Sequence, residues 1–361
     1  IKRFTLILSN PDELKSVIRK ELIETQETYG DERRTEIVQF YSDLTDEDLI
    51  PEEDLIVTLS KEGYAKTQPL DAYQAQNRGG TGKRAASLKD EDFVSKLFVA
   101  NTHDTLLCFS SYGKVYWIKV YRLPRGGRNA KGRPIVNLLP LEKDERIQAV
   151  LPVKEFNDDQ FIFMATESGS VKKTKLSAYS RPMKSGIKAI KLREGDRVVN
   201  AEITDGSKEI MLFSNSGKSI RFKETDARPM GRVSQGVRGM RIEKDQRIIS
   251  LVVLEEGNIL VATENGFGKQ TLKDEFSIQK RGGKGVIAIQ TSKRNGNLIG
   301  ANQVSTGDEV MFISTTGNLI RTRTDDISVI GRNTQGVRLI RLSEDDNLLG
   351  MEKVISEDDE E

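Results

Sequence analysis

The sequence predicts an all-β protein, a six-bladed propeller-like ring preceded by a short N-terminal helical segment. A hairpin motif recurs six times, in which an apolar strand runs into Ser/Thr-x-x-Gly and a second strand carries Lys or Arg. The turn glycines are Gly63, Gly113, Gly169, Gly217, Gly266 and Gly317, at steps of 50, 56, 48, 49 and 51 residues. A second glycine follows at Gly82, Gly132, Gly186, Gly236, Gly285 and Gly336. This period is typical of radially arranged units, none of which buries its own apolar face.

Each repeat is expected to contain about four strands. After the hairpin and the second glycine comes an alternating segment, 237–242 in the fourth repeat, and then an acidic turn and a short apolar strand. In the second hairpin strand of that repeat, Ile220 and Phe222 alternate with Arg221 and Lys223. This alternation predicts a strand with one apolar and one basic face. The ring of repeats is expected over residues 54–352.

Residues 1–53 are expected to form a helical segment followed by an acidic linker. Asn10 is a helix N-cap candidate with Pro11 at the first helical position, and Gly30 is expected to end the helix. The apolar stripe of this helix consists of Leu14, Val17, Ile18 and Leu22. Residues 353–361 form an acidic tail. Because the chain begins at Ile1, we expect a fragment of a longer protein.

The composition excludes several classes of site. The chain of 361 residues has one cysteine, Cys108, and one histidine, His103, so an internal disulfide, a cysteine-rich zinc site and a paired-histidine metal site are excluded. No apolar run approaches the roughly 20 residues of a membrane helix. The motif search predicts no catalytic site and no bound metal. A cytoplasmic protein is expected.

Charge is unevenly distributed along the chain. Residues 54–352 hold 48 basic and 36 acidic residues, a net charge of +12, whereas both flanking segments are acidic. A basic body of this kind suits a polyanionic partner.

The basic residues after each hairpin turn are the main binding candidates. They are Lys66, Lys114, Lys119, Lys172, Lys173, Lys175, Lys218, Arg221, Lys223, Lys269, Arg321 and Arg323. In a single repeat an ordinary solvated strand face is the better interpretation. Recurrence in six repeats favours a belt of positive charge on one rim, suited to the backbone of duplex DNA and independent of base sequence.

A glycine-rich segment in the first repeat is a second candidate. Its residues are Gln76, Asn77, Arg78, Gly79, Gly80, Thr81 and Gly82. Asn77 stands where a nucleotide-binding P-loop needs its first glycine. Exposed backbone N–H groups and the Arg78 guanidinium could hold a phosphate, and a flexible loop is an equally good interpretation from this copy alone.

These features together resemble the C-terminal DNA-wrapping domain of the DNA gyrase A subunit. Residues 76–82 resemble the glycine-rich box of that family, with consensus Q-[RK]-R-G-G-[RK]-G, at its usual place in the first blade. Residues 29–37 resemble the end of the coiled-coil region that precedes this domain in the family, and 329–337 is another similar stretch. The resemblance covers essentially the whole chain. It implies a β-pinwheel, in which neighbouring blades exchange strands.

The box of this chain departs from the family pattern in an informative way. Asn77 and Thr81 replace residues that are usually basic, whereas residues 279–285 in the fifth repeat (QKRGGKG) match the box better. The first-blade box keeps the main wrapping role by its position. Our hypothesis is that Lys280, Arg281 and Lys284 make a second strong DNA contact.

The resemblance also implies a role and partners. Duplex DNA would wrap around the basic rim and present a crossing segment for ATP-dependent negative supercoiling. The partners would be the gyrase B subunit, in a heterotetramer, together with the rest of the A subunit. ATP and Mg²⁺ would act elsewhere in the holoenzyme. The fragment alone is expected to be monomeric, catalytically inactive and nucleoid-associated. Two alternatives stay open, the equivalent domain of topoisomerase IV and a propeller scaffold for protein partners.

Overall fold

The computed structural model describes residues 1–31, 35, 46–60, 63–69, 94–127, 130–315, 319–343 and 346–354. The chain divides into two compact units, Ile1–Leu49 and Ile50–Glu361.

The first unit is helical. Helix α1 spans Lys2–Ser9 and α2 spans Pro11–Tyr29, and a single 3-10 turn spans Asp46–Leu49. The side chain of Asn10 accepts a hydrogen bond from the Asp12 amide at 3.0 Å, and the chain leaves the helix at Gly30. The predicted cap and end of α2 are therefore confirmed. None of the described helices is long and apolar enough to cross a membrane.

The second unit consists of short antiparallel strands. In the first three repeats they are β1 Asp54–Ser60, β2 Tyr64–Pro69, β3 Val94–Asn101, β4 Thr105–Ser110, β5 Lys114–Lys119, β6 Arg133–Pro134, β7 Ile147–Val153, β8 Phe161–Thr166, β9 Ser170–Lys175, β10 Ile187–Lys188 and β11 Val198–Thr204. In the last three they are β12 Glu209–Ser214, β13 Lys218–Lys223, β14 Val237–Arg238, β15 Ile248–Leu254, β16 Asn258–Thr263, β17 Phe267–Thr271, β18 Val286–Ile287, β19 Leu298–Val304, β20 Glu309–Ser314, β21 Leu319–Arg323, β22 Val337–Arg338 and β23 Leu348–Val354.

Neighbouring repeats exchange strands. The sheet orders are β3-β1-β2-β6, β10-β5-β4-β7, β11-β8-β9-β14, β15-β12-β13-β18, β19-β16-β17-β22 and β21-β20-β23. In each of the first five sheets the two-residue strand at one edge comes from the following repeat. In the third sheet, for example, β14 pairs with β9 through Val237 opposite Val171 and Arg238 opposite Ser170. The six-bladed fold with exchanged strands is therefore confirmed.

The opposite edge of each sheet lies toward the centre of the ring. The long strands β7, β11, β15, β19 and β23 contact one another in that order, and β23 contacts β3 of the first sheet. The last blade thus meets the first, and the exchanged strands lie at the outer rim.

Apolar clusters fill the spaces between blades, so both faces of a blade are covered. One cluster joins Leu107 and Phe109 of the second blade to Ile162 and Met164 of the third. In β13, every residue from 219 to 222 is buried. The prediction that this strand has one apolar and one solvated basic face is therefore wrong, because the neighbouring repeat covers the second face.

In the second to sixth repeats, the second glycine marks the point where the exchanged strand crosses onto the preceding blade. Gly236 has φ +82, and a Cβ atom there would lie 2.4 Å from the carbonyl oxygen of Val171. A side chain would therefore be strained by the backbone and blocked by the neighbouring strand. This close approach explains the recurrence of the second glycine.

Candidate nucleic-acid interface

Three of the lysines predicted to bind DNA lie inside the domain. They are Lys66, Lys172 and Lys269, which we call the loop-binding lysines. Each stands three residues after a turn glycine and is 3% exposed or less. The ammonium group of Lys269 donates to the carbonyls of Gly331 and Arg332, both at 2.6 Å, and to the Thr334 hydroxyl at 3.1 Å. The prediction that these lysines face solvent is wrong, because a loop of the following repeat covers them.

The other two loop-binding lysines make equivalent contacts. Lys66 donates to two carbonyls of the loop 126–132, at 3.2 and 3.1 Å. Lys172 donates to the carbonyl of Ala189 at 2.5 Å and to that of Arg232. In all three places an ammonium group binds the backbone of the loop that precedes a second glycine.

Burial also changes the acid–base behaviour of these lysines. Loss of hydration disfavours the charged form and lowers the pKa of Lys172 to about 7 and the pKa of Lys269 to about 8. Arg232 lowers the pKa of Lys172 further, whereas Glu275 raises that of Lys269 and Arg332 lowers it. These lysines therefore contribute less positive charge near neutral pH than the sequence suggests.

Two more predicted residues, Lys173 and Arg221, join one repeat to the next. The Lys173 ammonium lies 3.7 Å from the Glu224 carboxylate, and their side chains are 5% and 0% exposed. Arg221 donates to the Glu209 carboxylate at 2.8 Å and to the carbonyl of Phe276 in the following repeat at 3.0 Å. Their predicted place on a solvated face is wrong for the same reason, because the following repeat packs over the strand.

The remaining predicted hairpin residues are half-buried or exposed. They are Lys114, Lys119, Lys175, Lys218, Lys223, Arg321 and Arg323. Several of them face a carboxylate, for example Lys114 at 2.6 Å from Glu142 and Lys175 at 3.4 Å from Asp158. Surface pairs of this kind contribute little to folding and leave the cation within reach of a phosphate.

The box-like loop 279–285 lies on the rim beside the fourth repeat. The Lys280 side chain is 90% exposed, 3.1 Å from Asp226. The Arg281 guanidinium donates to the carbonyls of Asp226 at 2.8 Å and Arg238 at 3.0 Å. Lys284 is exposed. The loop is therefore pinned by its own arginine while both of its lysines stay accessible.

The structure adds rim residues that the sequence prediction missed. The exchanged strands expose Arg133, Lys188, Arg238 and Arg338, and three residues further on Lys191, Arg241 and Arg341 are exposed as well. The backbone amide of Arg241 donates to the carbonyl of Gly283 at 2.8 Å, which joins this segment to the box-like loop. The alternation of apolar and basic residues in 237–242 could have indicated these rim residues. Only the strand exchange shows that the segment 237–242 forms the outer edge of a sheet.

One rim arginine is held in place by an aromatic ring. The guanidinium carbon of Arg338 lies 5.3 Å from the ring centroid of Phe267, and that of Arg294 lies 4.8 Å from it. Both arginines line a cavity of about 290 Å³. Stacking orders the two cations without neutralising them.

The first-blade box lies outside the described residues. Gln76, Asn77, Arg78, Gly79, Gly80, Thr81 and Gly82 fall within 70–93, so their DNA-binding role stays a prediction.

Comparison with known proteins identifies the family. A family model described as the DNA gyrase C-terminal domain, β-propeller, matches six successive segments, 54–101, 104–154, 160–205, 208–255, 257–305 and 308–355. The chain belongs to this gyrase C-terminal domain family. The six matched segments coincide with the six repeats, and the resemblance drawn from the glycine-rich box is confirmed.

Relatives of this family match almost the whole chain. The DNA gyrase A subunit of Salmonella typhimurium is 52% identical over 351 residues, 97% of this chain and 40% of the relative. The corresponding protein of Pseudomonas aeruginosa is 50% identical, over 96% of this chain and 42% of the relative. The chain thus spans about two fifths of the length of these relatives.

Two solved structures share the fold. The C-terminal domain of a DNA topoisomerase IV superposes with a TM-score of 0.75 at 28% identity, covering 84% of this chain and 94% of that one. A DNA gyrase A C-terminal domain superposes with a TM-score of 0.65 at 28% identity, covering 84% and 100%. Both solved structures are thus 28% identical to this chain, whereas the two gyrase A relatives are 52% and 50% identical.

Proposed function

We propose that this gyrase C-terminal domain binds duplex DNA along its outer rim and bends it around the ring without reading the base sequence. The observation that carries the proposal is the cluster where the fourth and fifth repeats meet. The segment 237–242 contributes Arg238 and Arg241, and the loop 279–285, which is bonded to it, contributes Lys280, Arg281 and Lys284. Cations spaced along an edge suit a line of phosphates.

The geometry of the ring supports bending as well as binding. Exposed basic residues recur on the exchanged strands of four different sheets, so a duplex that follows them must curve with the rim. Bending a site of 20–30 base pairs by 40–90° costs on the order of 1–6 kcal/mol, which several phosphate contacts offset. The first-blade box and the loop 279–285 are the two places where we expect the grip to be strongest.

In the whole enzyme the domain would act as an accessory to catalysis. Wrapped DNA of positive handedness would present a crossing segment to the gate formed by the rest of the A subunit. The gyrase B subunit would supply ATP turnover, with Mg²⁺, and the product would be negative supercoils in the bacterial cytoplasm. This chain would itself cleave nothing.

Ligation of a nicked circle with the domain bound tests the proposal. Closure in the presence of a wrapping protein traps writhe, which remains after the protein is removed, and we expect positive writhe. Replacing Lys280, Arg281 and Lys284 by glutamine should reduce the trapped writhe. It should also reduce the slope of log affinity against log salt by about 0.9 for each phosphate that is no longer neutralised.

The matched control replaces three exposed cations of α2, Lys15, Arg19 and Lys20, by glutamine. It removes the same charge without touching the rim and should leave the writhe unchanged. If the variant with Lys280, Arg281 and Lys284 replaced traps as much writhe as the wild type, the loop 279–285 is not a second strong DNA contact. Binding insensitive to salt, with no writhe from the wild-type domain, would favour the scaffold for protein partners.

The C-terminal domain function of topoisomerase IV is the second candidate. The TM-score of 0.75 with such a domain favours it. The same ligation assay separates the two, because a topoisomerase IV-like rim should trap less writhe per bound protein than a gyrase-like rim.

A further inference from the structure

The six blades are of two kinds that alternate around the ring. Three residues after the turn glycine, the first, third and fifth repeats carry the loop-binding lysines. The second, fourth and sixth repeats carry Tyr116, Ile220 and Ile320 at the same place. Lysine thus occurs at every second blade rather than at random positions of the belt.

The sequences before the second glycines alternate in the same way. The loops that cover the loop-binding lysines share Gly-Arg-x-x-x-Gly, at 127–132, 231–236 and 331–336. The other three loops have Asn77, Arg181 and Lys280 in place of the first of these glycines. Lysine on one blade and Gly-Arg in the loop that crosses onto it therefore occur together in all three pairs.

The contact places the arginine of the loop at the rim. The structure describes the arginine in two of the three pairs. The Lys172 ammonium donates to the carbonyl of Arg232, and the Lys269 ammonium donates to the carbonyl of Arg332. Both arginines are half-exposed. The Arg332 guanidinium extends over the neighbouring exchanged strand and donates to the carbonyl of Ile287 at 3.2 Å. The lysine fixes the backbone from inside while the guanidinium remains outside.

One loop that has no such lysine beneath it is held differently. The loop 279–285, which crosses onto the blade of Ile220, is fixed by the guanidinium of Arg281 and by its backbone contacts with Gly239 and Arg241. There the arginine is used for the loop itself, and the lysines face outward. This junction therefore presents different cations to a bound polyanion from those of the junctions of Lys172 and Lys269.

We propose that Lys66, Lys172 and Lys269 are positioning residues for DNA, which hold the loops of the second, fourth and sixth repeats at the rim so that phosphate contacts repeat every two blades. This inference rests on the proposed wrapping function. The lysines do not touch DNA. They fix the height and direction of the loop on which a rim cation stands.

The test compares Lys172→Met with Lys244→Met in the full chain. Both variants replace one lysine by methionine, but Lys244 is exposed in the acidic turn 243–246 and is not one of the loop-binding lysines. Without DNA, we expect amide hydrogen exchange in 231–236 to be about tenfold faster in Lys172→Met, because the bonds from an ammonium group are removed. Exchange in 279–285 should be unchanged in both variants.

The second measurement separates positioning from simple charge loss. Binding to a duplex too short to wrap should change by less than about threefold in Lys172→Met, since no surface cation has been removed. The writhe trapped per bound domain should fall at least about twofold, because a loosely held contact no longer guides the curve. Lys244→Met should match the wild type in both measurements.

The possible failures are distinguishable. Writhe retained by Lys172→Met despite faster exchange in 231–236 would overturn this inference alone and leave the wrapping function standing. A wild-type domain that traps no writhe would overturn the proposed function and this inference with it.

A milder variant covers the case in which Lys172→Met does not fold. Thr334→Val removes one acceptor of the Lys269 ammonium and the hydroxyl bond to Gly331 at 3.0 Å, without changing any charge. It should speed exchange in 331–336 and lower the trapped writhe by a smaller factor. Normal writhe with a loosened loop would again contradict the positioning role.

Discussion

Two basic regions of the domain differ in what their charge does. The second hairpin strands carry Lys172, Lys173 and Arg221, which are buried and bonded to loops and turns of the following repeat. The rim carries Arg238 and Lys280, which are exposed. Both regions look alike in the sequence, as alternating or clustered cations beside glycines. The first region holds repeats together, and the second is available to a partner.

The difference follows from strand exchange. A side chain on the second hairpin strand would be solvated if each blade were made by one repeat. Because the following repeat contributes the outermost strand and its preceding loop, that strand becomes an inner one, and its cations become donors to the new backbone. Stability and DNA binding should therefore respond separately to substitutions in the two regions.

The largest expected effect comes from breaking the buried pair of Lys173 and Glu224. Glu224 also accepts hydrogen bonds from the Thr204 hydroxyl at 2.6 Å and the Lys208 amide at 3.2 Å. Lys173→Met would leave a buried carboxylate without its counter-ion, so the free energy of unfolding should fall by about 3–5 kcal/mol. Urea denaturation followed by circular dichroism measures this change.

Lys175→Met is the matched control for that variant. Lys175 lies two residues further on, with its side chain 50% exposed and 3.4 Å from Asp158. Removing this surface pair should change the free energy of unfolding by less than about 1 kcal/mol. Equal losses of stability in both variants would contradict the division between the two regions.

The second prediction concerns the place where the two regions meet. Gly236→Ala introduces a Cβ atom 2.4 Å from the Val171 carbonyl oxygen at a residue with φ +82. We expect the free energy of unfolding to fall by about 2–4 kcal/mol, from backbone strain and steric overlap. In the same loop, Gly231→Ala meets no atom within 4 Å and should change it by less than about 0.5 kcal/mol. Thermal denaturation of the Gly236→Ala and Gly231→Ala variants shows whether glycine is required at position 236, where the exchanged strand crosses onto the preceding blade.

The third prediction addresses the rim alone. Replacing Arg238 and Arg241 by glutamine should lower DNA affinity about tenfold and reduce the slope of log affinity against log salt by about 0.9 for each phosphate that is no longer neutralised. The free energy of unfolding should remain within about 0.5 kcal/mol of the wild type, because both side chains are exposed. Fluorescence anisotropy at several salt concentrations measures the affinity. Unchanged affinity would place the DNA track elsewhere.

The periodicity of the sequence predicted the ring of six repeats. It did not predict which basic residues are buried between repeats and which are exposed at the rim. The turn and second glycines located all six repeats, since those that the structure describes all have a positive φ, which favours glycine. The same regularity led to the wrong prediction that Lys66, Lys172 and Lys269 face solvent. Alternation along one strand does not show which later segment of the chain covers that strand. Arg238 and Arg338 were missed for the converse reason. Their segment looked like an ordinary strand, and the sequence does not show that it forms an outer edge.

The smallest expected effect is a pH dependence of stability that comes from the inner region. Burial lowers the folded-state pKa of Lys172 to about 7 and that of Lys269 to about 8, below the ordinary lysine value of the unfolded chain. Between pH 7 and pH 9 the unfolded chain therefore binds more protons, so the free energy of unfolding should rise, on the order of 1 kcal/mol for each lysine. Arg232 faces the first lysine, and Glu275 and Arg332 face the second.

Urea denaturation at pH 7 and at pH 9 measures this rise. Lys172→Met should show a smaller rise than the wild type, since one of the buried lysines with a lowered pKa is gone. Lys280→Met, which removes a cation with a 90% exposed side chain from the rim, should show the same rise as the wild type. A wild-type rise unchanged by Lys172→Met would mean that the Lys172 ammonium keeps its proton over this range, and that the loop 231–236 is held by a permanent charge rather than by one that titrates near neutral pH.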